Sequence, residues 1–167
     1  MNKRIIGIAG LVVIGIAWYL FRPELLFISR TVQEDFPKIV TAQQTVPHGG
    51  TPIALAKGTF RGIAHETKGG ATIYDLPTGQ RILRLSDFTT SNGPDLRVYL
   101  VVAGDAHDSA EVTRAGFVDL GALKGNIGNQ NYDLPADLDL GKYQAVTIWC
   151  RRFSVNFGTA PLAQSHL

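Results

Sequence analysis

The sequence predicts an all-β domain, an antiparallel β-sandwich or a barrel-like fold, preceded by one N-terminal transmembrane helix. From residue 58 onward, short apolar runs recur at intervals of about ten residues with turn residues between them, which is typical of β-strands. The 18 Gly and 8 Pro supply many turns. An uncharged apolar run over residues 5–21 predicts the helix. A chain of 167 residues can hold one domain of ordinary size and an appendage.

The predicted organisation has four parts. Residues 1–28 form a membrane anchor, residues 29–57 a flexible tether, residues 58–162 the β domain and residues 163–167 a C-terminal tail. The tether is predicted because Pro and Gly residues interrupt any period in that segment. From Lys57 onward the chain has eleven basic and eleven acidic residues, so this charge balance gives no indication of nucleic-acid binding.

The apolar run at the N-terminus has the length of the shorter membrane-spanning helices. Lys3 and Arg4 precede it and favour an orientation with the N-terminus in the cytoplasm. The chain is therefore predicted as a single-pass protein of the cytoplasmic (inner) membrane, with its C-terminal domain outside the cytoplasm. A cleavable signal peptide is disfavoured because the run leads into Trp18 and Tyr19 rather than small residues. A buried core helix is disfavoured because no polar face interrupts the run.

The strands of the domain are predicted from alternation between apolar and polar residues and from the turns that flank them. Residues 96–103 alternate most clearly, and a bulge is expected at Gly116. The turn over residues 91–95 combines Asn, Gly and Pro, each of which favours a reversal of the chain. The predicted strands are 59–66, 71–76, 81–88, 96–103, 112–120, 143–150 and 153–157.

One segment between the strands, residues 123–132, is unusually polar, with three Asn, one Gln and two Gly. The first interpretation is an elaborate turn whose Asn side chains replace missing backbone hydrogen bonds. The second is a rim that binds a small ligand or an anion. The candidate rim residues are Asn126, Asn129, Asn131 and Tyr132.

The last two strands carry the single cysteine of the chain, Cys150. Alternation places Cys150 at the end of an inward face, together with Val146 and Ile148. Continuing that alternation would bring polar residues into the core, so a bulge or tight turn is predicted at Arg151 and Arg152. The change of register turns a second set of side chains inward: Phe153, Val155 and Phe157.

Several kinds of chemistry do not fit the composition. One Cys, isolated His residues and a single Met at position 1 do not suit a blue-copper site, a haem with Met and His ligands, an iron–sulfur cluster or a Cys-rich zinc site. Motifs of the GxSxG, HExxH and Walker types are missing from the sequence. We therefore predict no metal site, identify no cofactor and do not favour enzymatic turnover.

Cys150 admits two interpretations. A free cysteine is often buried and inert, packing as a small apolar residue. Alternatively, the charges of Arg151 and Arg152 favour a reactive thiolate at a site flanked by Trp149 and Phe153. His65 admits the same choice, either a partner that stabilises the thiolate or a half-exposed polar residue on a strand.

Five motifs follow one another in the predicted domain. They are Gly58-Thr59-Phe60 with His65, Leu85-x-Asp87-Phe88, Asn92-Gly93-Pro94-Asp95 continuing to Leu100, Leu120-Gly121 continuing through Gly128-Asn129-Gln130-Asn131-Tyr132, and Ile148-Trp149-Cys150-x-x-Phe153-Ser154-Val155-x-Phe157-Gly158. They lie within residues 58–162, and with them this stretch resembles the DM-thirteen, or electron-transfer DM, domain family. The chain resembles the membrane-anchored bacterial members of that family.

The resemblance implies an all-β domain in which Cys150 serves in a redox-active centre, and it implies no set of cofactor ligands. The predicted function is that of a membrane-tethered extracytoplasmic domain with an electron-transfer or thiol-redox role centred on Cys150. Its predicted partners are the membrane, through the N-terminal helix, and an unknown redox or envelope protein. The alternative is a non-catalytic binding or structural module of the cell envelope.

Overall fold

The computed structural model of the protein describes residues 3–21, 28–37 and 51–165. Helix α1 is Lys3–Phe21, and all the other elements except one short helix are strands. The elements after α1 are β1 Thr31–Gln33, β2 Ile53–Thr59, β3 Arg61–Gly62, β4 Thr67–Asp75, β5 Arg81–Thr90, β6 Leu96–Val101, α2 Ser109–Ala115, β7 Phe117–Ala122, β8 Ile127–Asp133, β9 Ala145–Cys150, β10 Val155–Pro161 and β11 Ala163–Gln164.

The strands form two sheets. The first has the order β1-β8-β5-β4-β2-β11, and the second has the order β3-β10-β9-β6-β7. The β1–β8 pair is parallel, whereas every other pair within the described residues is antiparallel. The all-β prediction is therefore confirmed, and the two open sheets correspond to its sandwich form rather than to a closed barrel.

The main core lies between the two sheets, where each contributes the apolar side chains of one face. Leu83 and Leu85 come from β5, and Val98 and Leu100 come from β6; all four are fully buried. Because a strand alternates its side chains, the same strands also present a second face away from this core. On β6 and β9 that second face is buried too, beneath α2 and the loop before it.

Helix α2 replaces the first half of a strand that was predicted over residues 112–120. The Asp108 carboxylate accepts a hydrogen bond from the Glu111 amide at 2.7 Å and caps the helix. Gly116 ends it with a φ of 89°, and β7 begins at the next residue. Val112 is the buried residue of this short helix. The prediction was wrong here because the helix has only seven residues and one buried apolar side chain. So short a segment shows no helical periodicity of apolar residues in the sequence.

Three further segments differ from their predictions. Strands β1 and β2 lie partly or wholly within residues 29–57, which were predicted as an irregular tether. Strand β11 lies within the predicted tail over 163–167, and it pairs with β2. Strand β8 occupies most of the segment that was predicted as a turn or a ligand rim. The part of the predicted tether over residues 38–50 lies outside the described residues.

The predicted membrane anchor is helical, as α1. Within the residues that the structure describes, however, no helix combines the length and the apolar character needed to cross a membrane. The predicted orientation and location of the chain stay predictions.

Candidate functional site

Cys150 is the last residue of β9 and lies in the core between the two sheets. It pairs with Leu96 on β6 and with Val155 on β10. Its exposed fraction is 0%, and its neighbours in the core are apolar. In the described part of the chain, the thiol forms no hydrogen bond. The predicted inward position of Cys150 is confirmed, and the sulfur is sealed from solvent.

The chain reverses immediately after Cys150, through a turn over residues 151–154 that joins β9 to β10. Ser154 adopts a left-handed conformation, with a φ of 53°. The predicted tight turn is therefore confirmed. The predicted inward position of Phe153 is wrong, because this side chain lies in the turn itself and is 56% exposed. Phe153 does not cover the thiol.

The two arginines of this turn point to other partners. The Arg151 Nε donates to the Asp95 carboxylate at 2.8 Å, and the Arg151 amide donates to the Asp95 carbonyl. The Arg152 guanidinium donates to the carbonyl of Leu20. Both side chains are exposed. Neither interaction places a charge against the sulfur of Cys150.

Trp149 lies on the opposite face of β9 from Cys150, as the alternation of the strand requires. It is 5% exposed and stacks on Tyr99 with ring centroids 6.0 Å apart. Tyr99 in turn stacks on Phe117, at 4.2 Å and nearly parallel. Phe117 is 42% exposed. The three rings, here called the aromatic stack, lead from the surface to the residue that precedes Cys150.

Tyr99 is the middle ring of the aromatic stack and the most deeply buried of the three. Burial raises the pKa of its phenol, and the nearby Asp119 carboxylate raises it further. The sequence predicts that Tyr99 and Trp149 lie on strands, but it does not predict the stack. Alternation gives the face of each ring, whereas their contact depends on the register of three different strands.

His65 lies on the surface, apart from the thiol. Its ring packs on Phe157 with centroids 3.9 Å apart, and its amide donates to the Phe157 carbonyl. His65 is exposed, whereas Phe157 is buried. These contacts support the interpretation of His65 as a polar surface residue. No contact with Cys150 supports a role for it in stabilising a thiolate.

The Asn side chains of the predicted rim are occupied by internal hydrogen bonds. Asn126 is buried, and its Oδ1 accepts from the Arg30 amide at 2.6 Å. The Asn129 Oδ1 accepts from the amide of Asp87 at 2.9 Å. Asp87 has a φ of 48°, so this bond supports a strained position where β5 bulges.

Asn131 connects β8 to the residues that follow β1. Its Nδ2 donates to the Asp35 carbonyl at 2.9 Å, and its Oδ1 accepts from Arg84 at 2.8 Å. The Glu34 carboxylate accepts from the Asn131 amide and from Lys124, both at 2.7 Å. Partial burial opposes ionisation of Glu34, but these donors outweigh it and lower the pKa of its carboxyl. Asn131 therefore has a structural role.

Tyr132 completes the predicted rim and is likewise used internally. Its hydroxyl donates to Gln130 Oε1 at 2.8 Å and accepts from the Lys124 amide at 3.0 Å. Gln130 is fully buried and also accepts from the amide of Gly125 and donates to its carbonyl. Burial raises the pKa of the Tyr132 phenol strongly. For residues 129–132, these bonds favour the first interpretation, in which polar side chains replace missing backbone hydrogen bonds.

A surface pocket of about 240 Å³ opens at the end of the sandwich where β9 ends. Leu96 contributes to its wall and is the antiparallel partner of Cys150 on the neighbouring strand. The pocket therefore lies one strand away from the thiol. It lies between two segments that belong to the motifs noted in the sequence. Its lining residues are Ile28, Arg30, Asn92, Gly93, Pro94, Asp95, Leu96, Ala122, Leu123, Lys124, Gly125 and Asn126.

Metal binding receives no support from the side-chain arrangement. Among the described residues, no three or more His, Cys, Asp or Glu side chains come together in a way that could hold a metal ion. Three side chains at this end of the domain can undergo one-electron oxidation. They are the Cys150 thiol on one face of β9, and Trp149 with Tyr99 on the other.

Comparisons with known proteins identify the domain. Neither the curated proteins nor the solved structures contain a match to the chain. The family model described as Electron transfer DM13 matches residues 59–162, which is more than half of the chain and includes β3 to β10. The chain belongs to the Electron transfer DM13 family.

Proposed function

We propose that this domain passes single electrons between partner molecules, and that the aromatic stack carries them to the end of β9. The observation that carries the proposal is the continuity of the stack, from the exposed Phe117 through Tyr99 to the buried Trp149. An electron can move between packed side chains without solvent access, so a buried Trp suits this role. The family description supports the same class of function.

The environment of Cys150 supports electron exchange rather than thiol exchange. A thiol that forms a mixed disulfide or a sulfenic acid must be reached by its reactant, and reactive cysteines are partly exposed. Cys150 is fully buried among apolar residues. We therefore propose that Cys150, if oxidised in the native fold, gives up one electron and one proton without forming a bond to another molecule.

The electron balance of the proposal is simple. A one-electron oxidant, such as an oxidised metal centre on a partner protein, takes one electron from the Trp149 indole and is itself reduced. A one-electron donor on a second partner then restores the indole. The net reaction moves one electron from donor to acceptor, and no atom of this chain is transferred. When the Cys150 thiol supplies the electron instead, its proton leaves to water during a local opening of the domain that exposes the sulfur. The donor later returns an electron, with a proton from solvent, by the same opening.

Light-driven oxidation tests the proposal. A soluble ruthenium photosensitiser with an irreversible electron acceptor generates a one-electron oxidant in the presence of the purified chain. A Trp18→Phe background leaves Trp149 as the remaining tryptophan. We expect a tryptophan radical in the transient absorption spectrum of the folded protein, and we expect Trp149→Phe to abolish it.

The path is tested separately from the end point. Tyr99→Phe keeps a ring in the stack but removes the oxidisable phenol, so we expect slower formation of the Trp149 radical. Tyr143→Phe is the matched control, because Tyr143 packs against the main core and is not part of the cluster that contains the stack. A radical that forms only after unfolding, or equal rates in the Tyr99 and Tyr143 variants, would refute the proposed path.

A second candidate function is a non-catalytic binding or structural module of the cell envelope. The pocket beside Leu96 favours it, because a pocket serves binding whether or not electrons move. Replacing Cys150 and Trp149 separates the two candidates. If both variants keep the cellular function while changes in the pocket abolish it, the binding module is the correct one.

We also propose, from the sequence of residues 3–21 alone, that the N-terminal segment holds the domain at the outer side of the cytoplasmic membrane, near a redox or envelope protein. Lys3, Arg4 and the uncharged run after them support this location. Protease added to intact spheroplasts should degrade the β domain. A domain that is degraded only after lysis would contradict the location.

A further inference from the structure

The pocket at the end of the sandwich has an apolar side and a positively charged side. Its larger apolar side chains are Ile28, Pro94, Leu96 and Leu123, from three separate segments of the chain. With a volume of about 240 Å³, it is smaller than the pockets that take drug-sized ligands. A single ring or a short branched apolar group is the size of occupant that it suits.

Among the residues that the structure describes, the charges around the pocket leave an excess of one cation. Lys124 pairs with the Glu34 carboxylate at 2.7 Å, and the Asp95 carboxylate pairs with Arg151 at 2.8 Å. Within each of these two pairs, the positive and the negative charge largely cancel. Arg30 also lines the pocket, and it forms no ion pair with any residue that the structure describes.

The shape of the pocket depends on close packing of its backbone segments. A Cβ on Gly93 would come within 2.7 Å of the Leu96 side chain. A Cβ on Gly125 would meet the carbonyl of Arg30 and the side chain of Val32. Gly93 therefore lets the turn over 92–95 pack closely on Leu96, and Gly125 lets the loop over 122–126 pack closely on the segment that carries Arg30.

We infer that this pocket is a binding site for a small aromatic anion, with the ring against Leu96 and Leu123 and the negative group near Arg30. Asn92 also lines the pocket, and its side chain carries an amide group that can donate a hydrogen bond. The combination of apolar walls with few polar groups is the usual composition of a small-molecule site. This site goes beyond the electron-transfer role and does not depend on it.

Nuclear magnetic resonance titration of the full chain tests the site with three probes. The probes are p-toluate, which has a ring and a carboxylate, p-tolylmethanol, which has the ring alone, and acetate, which has the carboxylate alone. We expect p-toluate to shift the amide resonances of residues 92–96 other than Pro94, and of residues 122–126. The dissociation constant should be of roughly millimolar order for so small a site. The other two probes should bind more weakly.

Two variants test which part of the pocket binds the ring of the ligand and which residue attracts its negative charge. Arg30→Gln should weaken p-toluate binding about two- to fivefold and leave the binding of p-tolylmethanol unchanged, as expected for one exposed charge. Ala122→Leu fills the pocket from the exposed end of β7 and should abolish the shifts from both ring probes. Arg114→Gln and Ala110→Leu are the matched controls, because both positions are exposed and lie on α2.

Three results would overturn the inference. The first is an absence of shifts at residues 92–96 and 122–126 with p-toluate at about ten times the expected dissociation constant. The second is equal affinity for p-toluate in the Arg30→Gln variant and the wild type. The third is binding that survives Ala122→Leu, because the ring would then occupy another part of the surface.

Discussion

Substitution of Cys150 provides the sharpest test of its sealed environment. Cys150→Ala removes one heavy atom from a fully buried position. The loss resembles Ile→Val, which typically costs about 0.5–1.5 kcal/mol of the free energy of unfolding. Cys150→Ser keeps the size of the side chain but buries a hydroxyl among apolar residues, at a cost of about 1–3 kcal/mol when it finds no partner.

The serine variant is therefore expected to be the less stable of the two, by about 1 kcal/mol, because the cost of polarity exceeds the cost of lost volume. For a chain of this size, 1 kcal/mol corresponds to about 2–4 °C in the unfolding temperature. Urea unfolding followed by circular dichroism measures the difference in free energy. A serine variant as stable as the wild type, with the alanine variant less stable, would refute the apolar environment of the sulfur.

Thiol labelling independently measures how well the sulfur of Cys150 is shielded from solvent. A chromogenic disulfide reagent should modify the native protein only as fast as the domain opens, and should modify the urea-unfolded protein at once. The dependence of the native labelling rate on reagent concentration distinguishes a sulfur that is reached only when the domain opens from a sulfur that is accessible in the closed fold. A rate that rises in proportion to reagent, and that approaches the unfolded rate, would mean that the native sulfur is accessible.

Three further outcomes follow from the packing. Gly128→Ala should destabilise the domain by about 2 kcal/mol or more, because a φ of 104° strains any residue with a Cβ and because that Cβ would meet the Val32 carbonyl. Strand β1 should detach first, and faster hydrogen exchange of its amides would show this. The pKa of Glu34 is lowered in the fold by Lys124, so its stabilising contribution is present above the unfolded value of 4.5 and is lost as pH falls below it. Glu34→Gln should flatten this acid decline in urea midpoints, and an unchanged decline would contradict it. Phe153→Ser should change stability by under about 0.5 kcal/mol in the same assay, since the ring is exposed; a larger loss would mean that it covers the core.

The sequence predicted those parts of the fold that depend on alternation along one strand. Val146, Ile148 and Cys150 face the core as expected. When apolar residues occupy every second position of a strand, only one register places all of them on the buried face. The turn after Cys150 was predicted for the same reason, since polar residues could not continue on the inward face. Phe153 was misplaced because the reversal takes four residues rather than two.

Strand β8 was missed because its residues are poor strand formers taken individually. Asn and Gly are depleted in strands. Their polar groups are satisfied by partners far away in the chain, such as Glu34 and Asp35, which lie nearly one hundred residues earlier. A local reading of residues 123–132 has no access to those partners, so a turn was the simpler prediction. The same long-range pairing explains why β1 was assigned to a tether.

The positions of Trp149 and Cys150 allow electronic coupling to be separated from mechanical coupling. The two residues are neighbours in sequence, but they belong to different apolar clusters on opposite faces of β9. Losses of stability in Trp149→Phe and Cys150→Ala should therefore nearly add in the double variant, within about 0.5 kcal/mol. If Cys150 reduces the Trp149 radical, Cys150→Ala should still lengthen the lifetime of that radical. Additive stability with a longer lifetime would indicate that the residues are linked by electron exchange rather than by packing. Additive stability with an unchanged lifetime would leave Cys150 as a core residue and Trp149 as the end of the path.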